Sequence, residues 1–134
     1  MDRKLNVLVV DDSLTVLEKL GGILVEIDDL AVVGFAQTGA AAIRMTTESM
    51  PDLVLLDIVM PGLDGLSAFR TIRSMHPEIQ VAMVSSLGGD AAKAEEAFKL
   101  GACQVIAKPF DSDSIESLVE RVRSDLETEA TRVA

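Results

Sequence analysis

Three aspartates stand at the ends of short apolar runs: Asp11 and Asp12 follow Leu5 to Val10, and Asp57 follows Leu53 to Leu56. Two more polar groups close later runs in the same way, Ser85 after Gln80 to Val84 and Lys108 after Gln104 to Ala107. A carboxylate in such a place is costly unless it is solvated or paired. Three of them brought together repel and raise one another's pKa unless a cation sits among them. All-oxygen ligands with no His or Cys nearby suit Mg²⁺, which keeps several waters and favours one or two carboxylates plus phosphate oxygens. Lys108 supplies a compact positive charge for a carboxylate or phosphate oxygen, and Ser85 a hydroxyl able to donate to that phosphate. With metal and lysine neutralising an incoming phosphoryl group, the carboxylate of Asp57 can act as a nucleophile. Each residue alone has a plainer reading: an acidic helix start for Asp11-Asp12, a turn or cap for Ser85, a surface lysine for Lys108. Their joint position argues for chemistry.

The elements that must position these groups are also legible. Five apolar runs, Leu5 to Val10, Ala31 to Ala36, Leu53 to Leu56, Gln80 to Val84 and Gln104 to Ala107, alternate with segments of helical periodicity. That order is the sequence form of an α/β fold whose parallel strands are buried on both faces. With right-handed crossovers it predicts a doubly wound five-stranded parallel sheet of order 2-1-3-4-5. Strands one, three, four and five are then neighbours, and their C-terminal ends meet in one crevice. The first helix is expected to start at Ser13, a capping residue, with a core stripe of Leu17, Leu20, Leu24 and Ile27. Gly21-Gly22 within it lowers helix propensity and implies close packing against the sheet. Further helices are expected over Gly39 to Ser49, Asp64 to Met75 and Asp90 to Leu100, the last closed by Gly101. A fifth begins near Asp111 or Ser112 and buries Ile115, Leu118, Val119, Val122 and Leu126. One domain, 1–127, accounts for the pattern, with a tail over 128–134 expected to fray.

Composition excludes several function classes. Twelve Lys and Arg against 22 Asp and Glu leave a formal charge of -10, which repels a nucleic-acid backbone. Four Phe and no Trp or Tyr leave an aliphatic core without aromatic cofactor cages. The single cysteine, Cys103, reads as a small buried residue in a reducing compartment. His76, beside Pro77 in a predicted loop, reads as solvated and without a chemical role. The N-terminus carries neither a signal-peptide pattern nor a membrane span, so a cytoplasmic protein with no membrane partner is expected.

The four segments Val7-Leu-Val-Val-Asp-Asp-Ser13, Pro51 to Gly65, Met83-Val-Ser-Ser86, and Gly101-Ala102 with Lys108-Pro109-Phe110 occur in order. Together they resemble the receiver domain of bacterial two-component response regulators, over about Leu5 to Val122. The likeness is greatest to the stand-alone chemotaxis regulators of the CheY kind and to the receiver half of the CheB methylesterases. The resemblance implies a flavodoxin-like fold and a non-enzymatic phosphorylation switch. It implies phosphorylation of Asp57 by a CheA-like histidine kinase, Mg²⁺ held by Asp12, Asp57 and the backbone carbonyl of Val59, and Asp11 acting through water. It further implies Ser85 as the switch hydroxyl, Lys108 as a phosphoryl contact, a cis Lys108-Pro109 bond, and an unidentified protein target, for which a flagellar motor switch is one candidate.

Because no effector domain follows Val122, the stand-alone form is the expectation, with a fragment of a larger CheB-like methylesterase as one alternative. Another is a small Mg²⁺-dependent phosphohydrolase of the haloacid dehalogenase type, against which the adjacency of Asp11 and Asp12 argues. An FMN carrier of the same fold lacks its phosphate loop and aromatic residues here, and a degenerate receiver would have lost an acidic residue. The sequence departs from the family at Val105, where an aromatic residue is common. Response is therefore expected to run through the loop after Leu87, freed by Gly88-Gly89. The resemblance implies that Val59 and Leu87 flank the path of the attacking water; both are apolar here, so slow loss of the phosphate is expected.

Overall fold

A computed structural model describes residues 3–86 and 91–133. Strands β1 (Leu5–Val10), β2 (Leu30–Ala36), β3 (Leu53–Leu56), β4 (Gln80–Ser85) and β5 (Gln104–Ala107) alternate with helices α1 (Leu14–Val25), α2 (Gly39–Ser49), α3 (Gly65–Met75), α4 (Ala91–Lys99) and α5 (Ser112–Val133). All strand pairs are parallel and the sheet order is β2-β1-β3-β4-β5, as the pattern of runs predicts.

The two-residue period of a strand divides the core between the two faces of the sheet. Leu8 and Val10 of β1, Val54 and Leu56 of β3, and Val81 and Met83 of β4 point to the side covered by α2, α3 and α4. Leu5, Val7 and Val9, Leu53 and Leu55, and Ala82 and Val84 point to the side covered by α1 and α5. Each fully buried Leu or Val contributes roughly 1.5–3 kcal/mol relative to exposure. Phe69 of α3 is completely buried in the first of these cores, so truncating it to Ala would cost about 3–5 kcal/mol.

Helix starts follow local chemistry. Ser13 caps α1 by accepting from Val16 N–H, Thr38 caps α2 through Ala41 N–H, and Asp64 caps α3 through Ser67 N–H at 2.9 Å. Leu17, Leu20 and Leu24 are buried as expected, whereas Ile27 lies past the end of α1 and is half-buried against the same core. The glycine pair has different reasons at its two positions. A Cβ on Gly21 would come within 3.0 Å of the Phe35 ring on β2, but one on Gly22 would meet nothing within 4 Å.

The C-terminus corrects one expectation: the tail expected to fray from residue 128 is helical, because α5 runs on to Val133. No Gly or Pro interrupts Ser112 to Val133, so propagation of the helix meets no local barrier. His76 caps the C-terminus of α3, where its Nε2 lies 3.1 Å from the Thr47 hydroxyl. Cys103 is half-buried, and burial pushes its thiol pKa up. The start expected for α4 at Asp90 and the loop Leu87-Gly88-Gly89 lie outside the described residues. No helix among the described residues is long and apolar enough to cross a membrane.

Candidate functional site

The hydrogen-bond ladder of the sheet continues one step past three of its strands, and this places the polar groups. Asp11 N–H donates to the Ala36 carbonyl at 3.0 Å, Asp57 N–H to the Val10 carbonyl at 3.0 Å, and Lys108 N–H to the Ser85 carbonyl at 2.8 Å. Backbone amides bonded in this way fix where the side chains begin. Carboxylate oxygens of Asp11, Asp12 and Asp57 consequently lie within 4.8 Å of one another.

The three acids are not equivalent. Asp11 is 1% exposed, and both of its oxygens are engaged: Oδ1 accepts from Ser13 N–H at 2.9 Å and Oδ2 from Lys108 Nζ at 2.6 Å. Asp12 is exposed, so its carboxylate is the solvent-facing member of the trio. Asp57 is buried, with Oδ2 at 3.4 Å from Lys108 Nζ and Oδ1 accepting a 3.3 Å bond from Val59 N–H. Burial, reinforced by the charge of Asp11, raises the Asp57 pKa above the ordinary carboxylate range, against the opposing pull of Lys108. Ionised Asp57 is thus undercompensated by protein groups alone.

Two buried carboxylates and one exposed carboxylate, with oxygens within 4.8 Å of one another, fit a hard, water-retaining cation such as Mg²⁺. Burial and the neighbouring Asp11 carboxylate both disfavour the charged form of Asp57, which a cation in the cluster would offset. Ser85 closes β4 beside this cluster and is buried. Val59 follows on the surface, its side chain 54% exposed. The Lys108-Pro109 bond is cis, as the motif implies. Val105, half-buried on β5, packs against the core beneath α4.

Two contributors escape a reading by residue chemistry. Gly65, the first residue of α3, presses on the strand end: a Cβ there would lie 1.9 Å from the Asp57 carbonyl oxygen, and its N–H donates to the Ile58 carbonyl at 2.8 Å. A side chain at 65 cannot be accommodated without moving the backbone of Asp57. The glycine ends the Pro51 to Gly65 segment, but its reason is visible only in three dimensions. Lys19 of α1 reaches the segment after Lys108, donating to the Phe110 carbonyl at 3.0 Å. Nothing in its sequence surroundings signals this.

Residues 7–120 match the family described as response regulator receiver domain. A protein-glutamate methylesterase/protein-glutamine glutaminase of Trichodesmium erythraeum is 37% identical over 92% of this chain, which covers 35% of that protein. One of the same description from Thermotoga maritima is 40% identical over 91% of this chain, again covering 37% of the relative. The chain therefore spans about a third of the length of the curated relatives it matches. Among solved structures, the response regulator domain of Thermotoga maritima CheB superposes with a TM-score of 0.80 at 37% identity, covering 91% of this chain and 96% of that one. The CheX-CheY-BeF3-Mg complex from Borrelia burgdorferi superposes with a TM-score of 0.83 at 29% identity, covering 90% of each chain.

Proposed function

We infer function from one premise: the chain belongs to the response regulator receiver domain family, whose members are phosphorylation-dependent regulators. Membership sets aside the phosphohydrolase and FMN-carrier alternatives. Asp57 accepts the phosphoryl group, Asp12 and Asp57 with the backbone carbonyl of Val59 hold Mg²⁺, and Asp11 supports it through water. Lys108 contacts the phosphoryl group and Ser85 is the switch hydroxyl. Residues 1–127 form the receiver unit, with α5 continuing beyond it.

The observation that carries this reading is the buried Asp57 carboxylate, whose oxygens lie within 4.8 Å of those of Asp11 and Asp12 and 3.4 Å from the Lys108 ammonium. When bound, Mg²⁺ would neutralise negative charge on the carboxylates and on the phosphate oxygens. In the transfer itself, an Asp57 carboxylate oxygen forms a bond to phosphorus while the P–N bond to the donor histidine breaks. The electron pair stays on the ring nitrogen, leaving neutral imidazole when the other nitrogen carries a proton. Lys108 is placed to follow the developing charge, since its ammonium already bridges Asp11 and Asp57. Once Asp57 carries the phosphoryl group as an acyl phosphate, phosphate oxygens would take the Asp57 side of that bridge.

The phosphodonor is a histidine kinase of the CheA kind, and the output is a change in binding to a protein target in chemotaxis-type signalling. A second reading is favoured by the lengths of the relatives: the chain is the receiver portion of a longer methylesterase, whose activity its phosphorylation would govern. Treatment with acetyl phosphate, with and without Mg²⁺, followed by intact mass and peptide mapping, tests the central proposal. A Mg²⁺-dependent gain of one phosphoryl group on Asp57 is expected. Modification at another residue, or none, rejects it.

A further inference from the structure

We propose that Lys19 is a positioning residue for Lys108, holding the segment that follows β5 from the side of α1. The inference rests on the reading of Lys108 as the phosphoryl contact. Lys108 and Phe110 share a short connection between Ala107, the last residue of β5, and Ser112, the first of α5. At its beginning, Lys108 N–H is tied to the Ser85 carbonyl at 2.8 Å. At its end, the Phe110 carbonyl accepts from Lys19 Nζ at 3.0 Å. The same ammonium lies 4.6 Å from the centroid of the Phe110 ring, which is 7% exposed and packed in the core shared by α1 and α5.

One cation thus grips both the backbone and the ring of Phe110, two residues from Lys108. Lys19 is itself exposed while the Phe110 it holds is buried, and a charge-assisted hydrogen bond and a cation–π contact act together on that residue. The anchor is itself well placed. Lys19 sits on α1, whose capping residue Ser13 donates its N–H to Asp11, and Asp11 is the acid that Lys108 grips at 2.6 Å. Asp11, α1, Lys19, Phe110 and Lys108 therefore form a closed ring of contacts around one wall of the pocket. Removing the Lys19 charge would leave the connection held by the Lys108–Ser85 bond and by the buried Phe110 ring, with the Phe110 carbonyl free to shift and Lys108 less closely placed for a phosphate oxygen.

The test uses Lys19→Met, which keeps the aliphatic stem and removes the charge, and Lys19→Arg, which restores a donor and a cation. Two readouts are needed: the rate of modification by acetyl phosphate at saturating Mg²⁺, and amide hydrogen exchange of Lys108 in metal-free protein. Lys19→Met should slow modification roughly tenfold and speed exchange at Lys108 while that of Val32 on β2 is unchanged. Lys19→Arg should recover most of both. A Lys19→Met protein modified at the wild-type rate overturns the proposal. So does a slowdown in which Val32 loses as much protection as Lys108, since that would mark general loosening. If the wild-type chain gains no phosphoryl group, the functional reading fails, while the exchange arm still decides whether Lys19 holds Lys108.

Discussion

Two aspartates five positions apart flank the same strand and live under opposite conditions. Asp52 precedes β3, at the N-terminal edge of the sheet. Arg3 meets it with both guanidinium nitrogens at 2.7 and 2.6 Å, and Asn6 N–H donates to it at 2.8 Å. Burial works to raise the Asp52 pKa, but the Arg3 and Asn6 bonds outweigh it and hold the carboxyl below its usual range. Asp57 follows β3, at the C-terminal edge. There burial and the charge of Asp11 prevail over a longer contact to Lys108, and the pKa is raised. The cation at each end makes the difference. Arg3 serves one acid bidentately, whereas Lys108 is divided between two and leans toward Asp11. A satisfied carboxylate stabilises the fold. An undercompensated one keeps reactivity and appetite for a cation, at a cost in stability.

The largest expected effect separates the two by chemistry. Asp57→Asn should abolish modification by acetyl phosphate, while Asp52→Asn should leave its rate within about twofold, as a surface-edge change far from the pocket allows. If Asp52→Asn also abolishes modification in protein that remains folded, the division between the two ends is wrong.

Next comes the metal. Asp12→Ala should weaken Mg²⁺ binding by roughly tenfold or more, and Asp11→Ala by less, because Asp11 is already committed to Ser13 and Lys108. Titration calorimetry on both variants checks the order, and equal losses would mean shared coordination. Mg²⁺ should also raise the melting temperature of the wild-type chain more than that of Asp57→Asn.

Stability against pH sharpens the contrast further, since the two shifts have opposite signs. The Asp52 contribution is present above about pH 4 and is lost as pH falls through its lowered native pKa. Asp57 behaves in reverse: its fit to the fold is best below about pH 4 and is lost as pH rises through its raised native pKa. At neutral pH without Mg²⁺, Asp57→Asn should therefore melt higher than wild type, and the gap should close on acidification. Asp52→Asn should melt lower at neutral pH, by about 1 kcal/mol. Parallel melting curves with the two gaps of the same sign would refute the assignment.

Smaller still is the effect of Val59→Asn, which places a polar group beside the site where the exposed valine now stands. It should speed decay of the phosphorylated form, measured as loss of the added mass after donor removal; an unchanged rate would put water access elsewhere. Arg3→Ala should cost least, about 0.5 kcal/mol, because Arg3 is 57% exposed and Asn6 N–H still serves Asp52.

Much of this molecule is written locally. The five apolar runs, the capping serine at 13 and the aspartates closing β1 and β3 were enough to predict the sheet order and the crevice. Burial on both faces of a parallel sheet demands continuous apolar runs, and a polar residue can appear only where a run ends. The candidate site residues stand where the runs end for that reason. The last turns of α5 are not announced by the sequence, because the residues past Glu127 carry no apolar stripe. What the linear chain could not decide is how charge is shared. That Lys108 grips Asp11 more closely than Asp57, that Gly65 must be bare to let α3 touch the Asp57 carbonyl, and that Lys19 reaches Phe110 across 91 positions are consequences of packing. Distances of a few tenths of an ångström set electrostatic balance in a desolvated pocket, and only the assembled sheet and helices determine them.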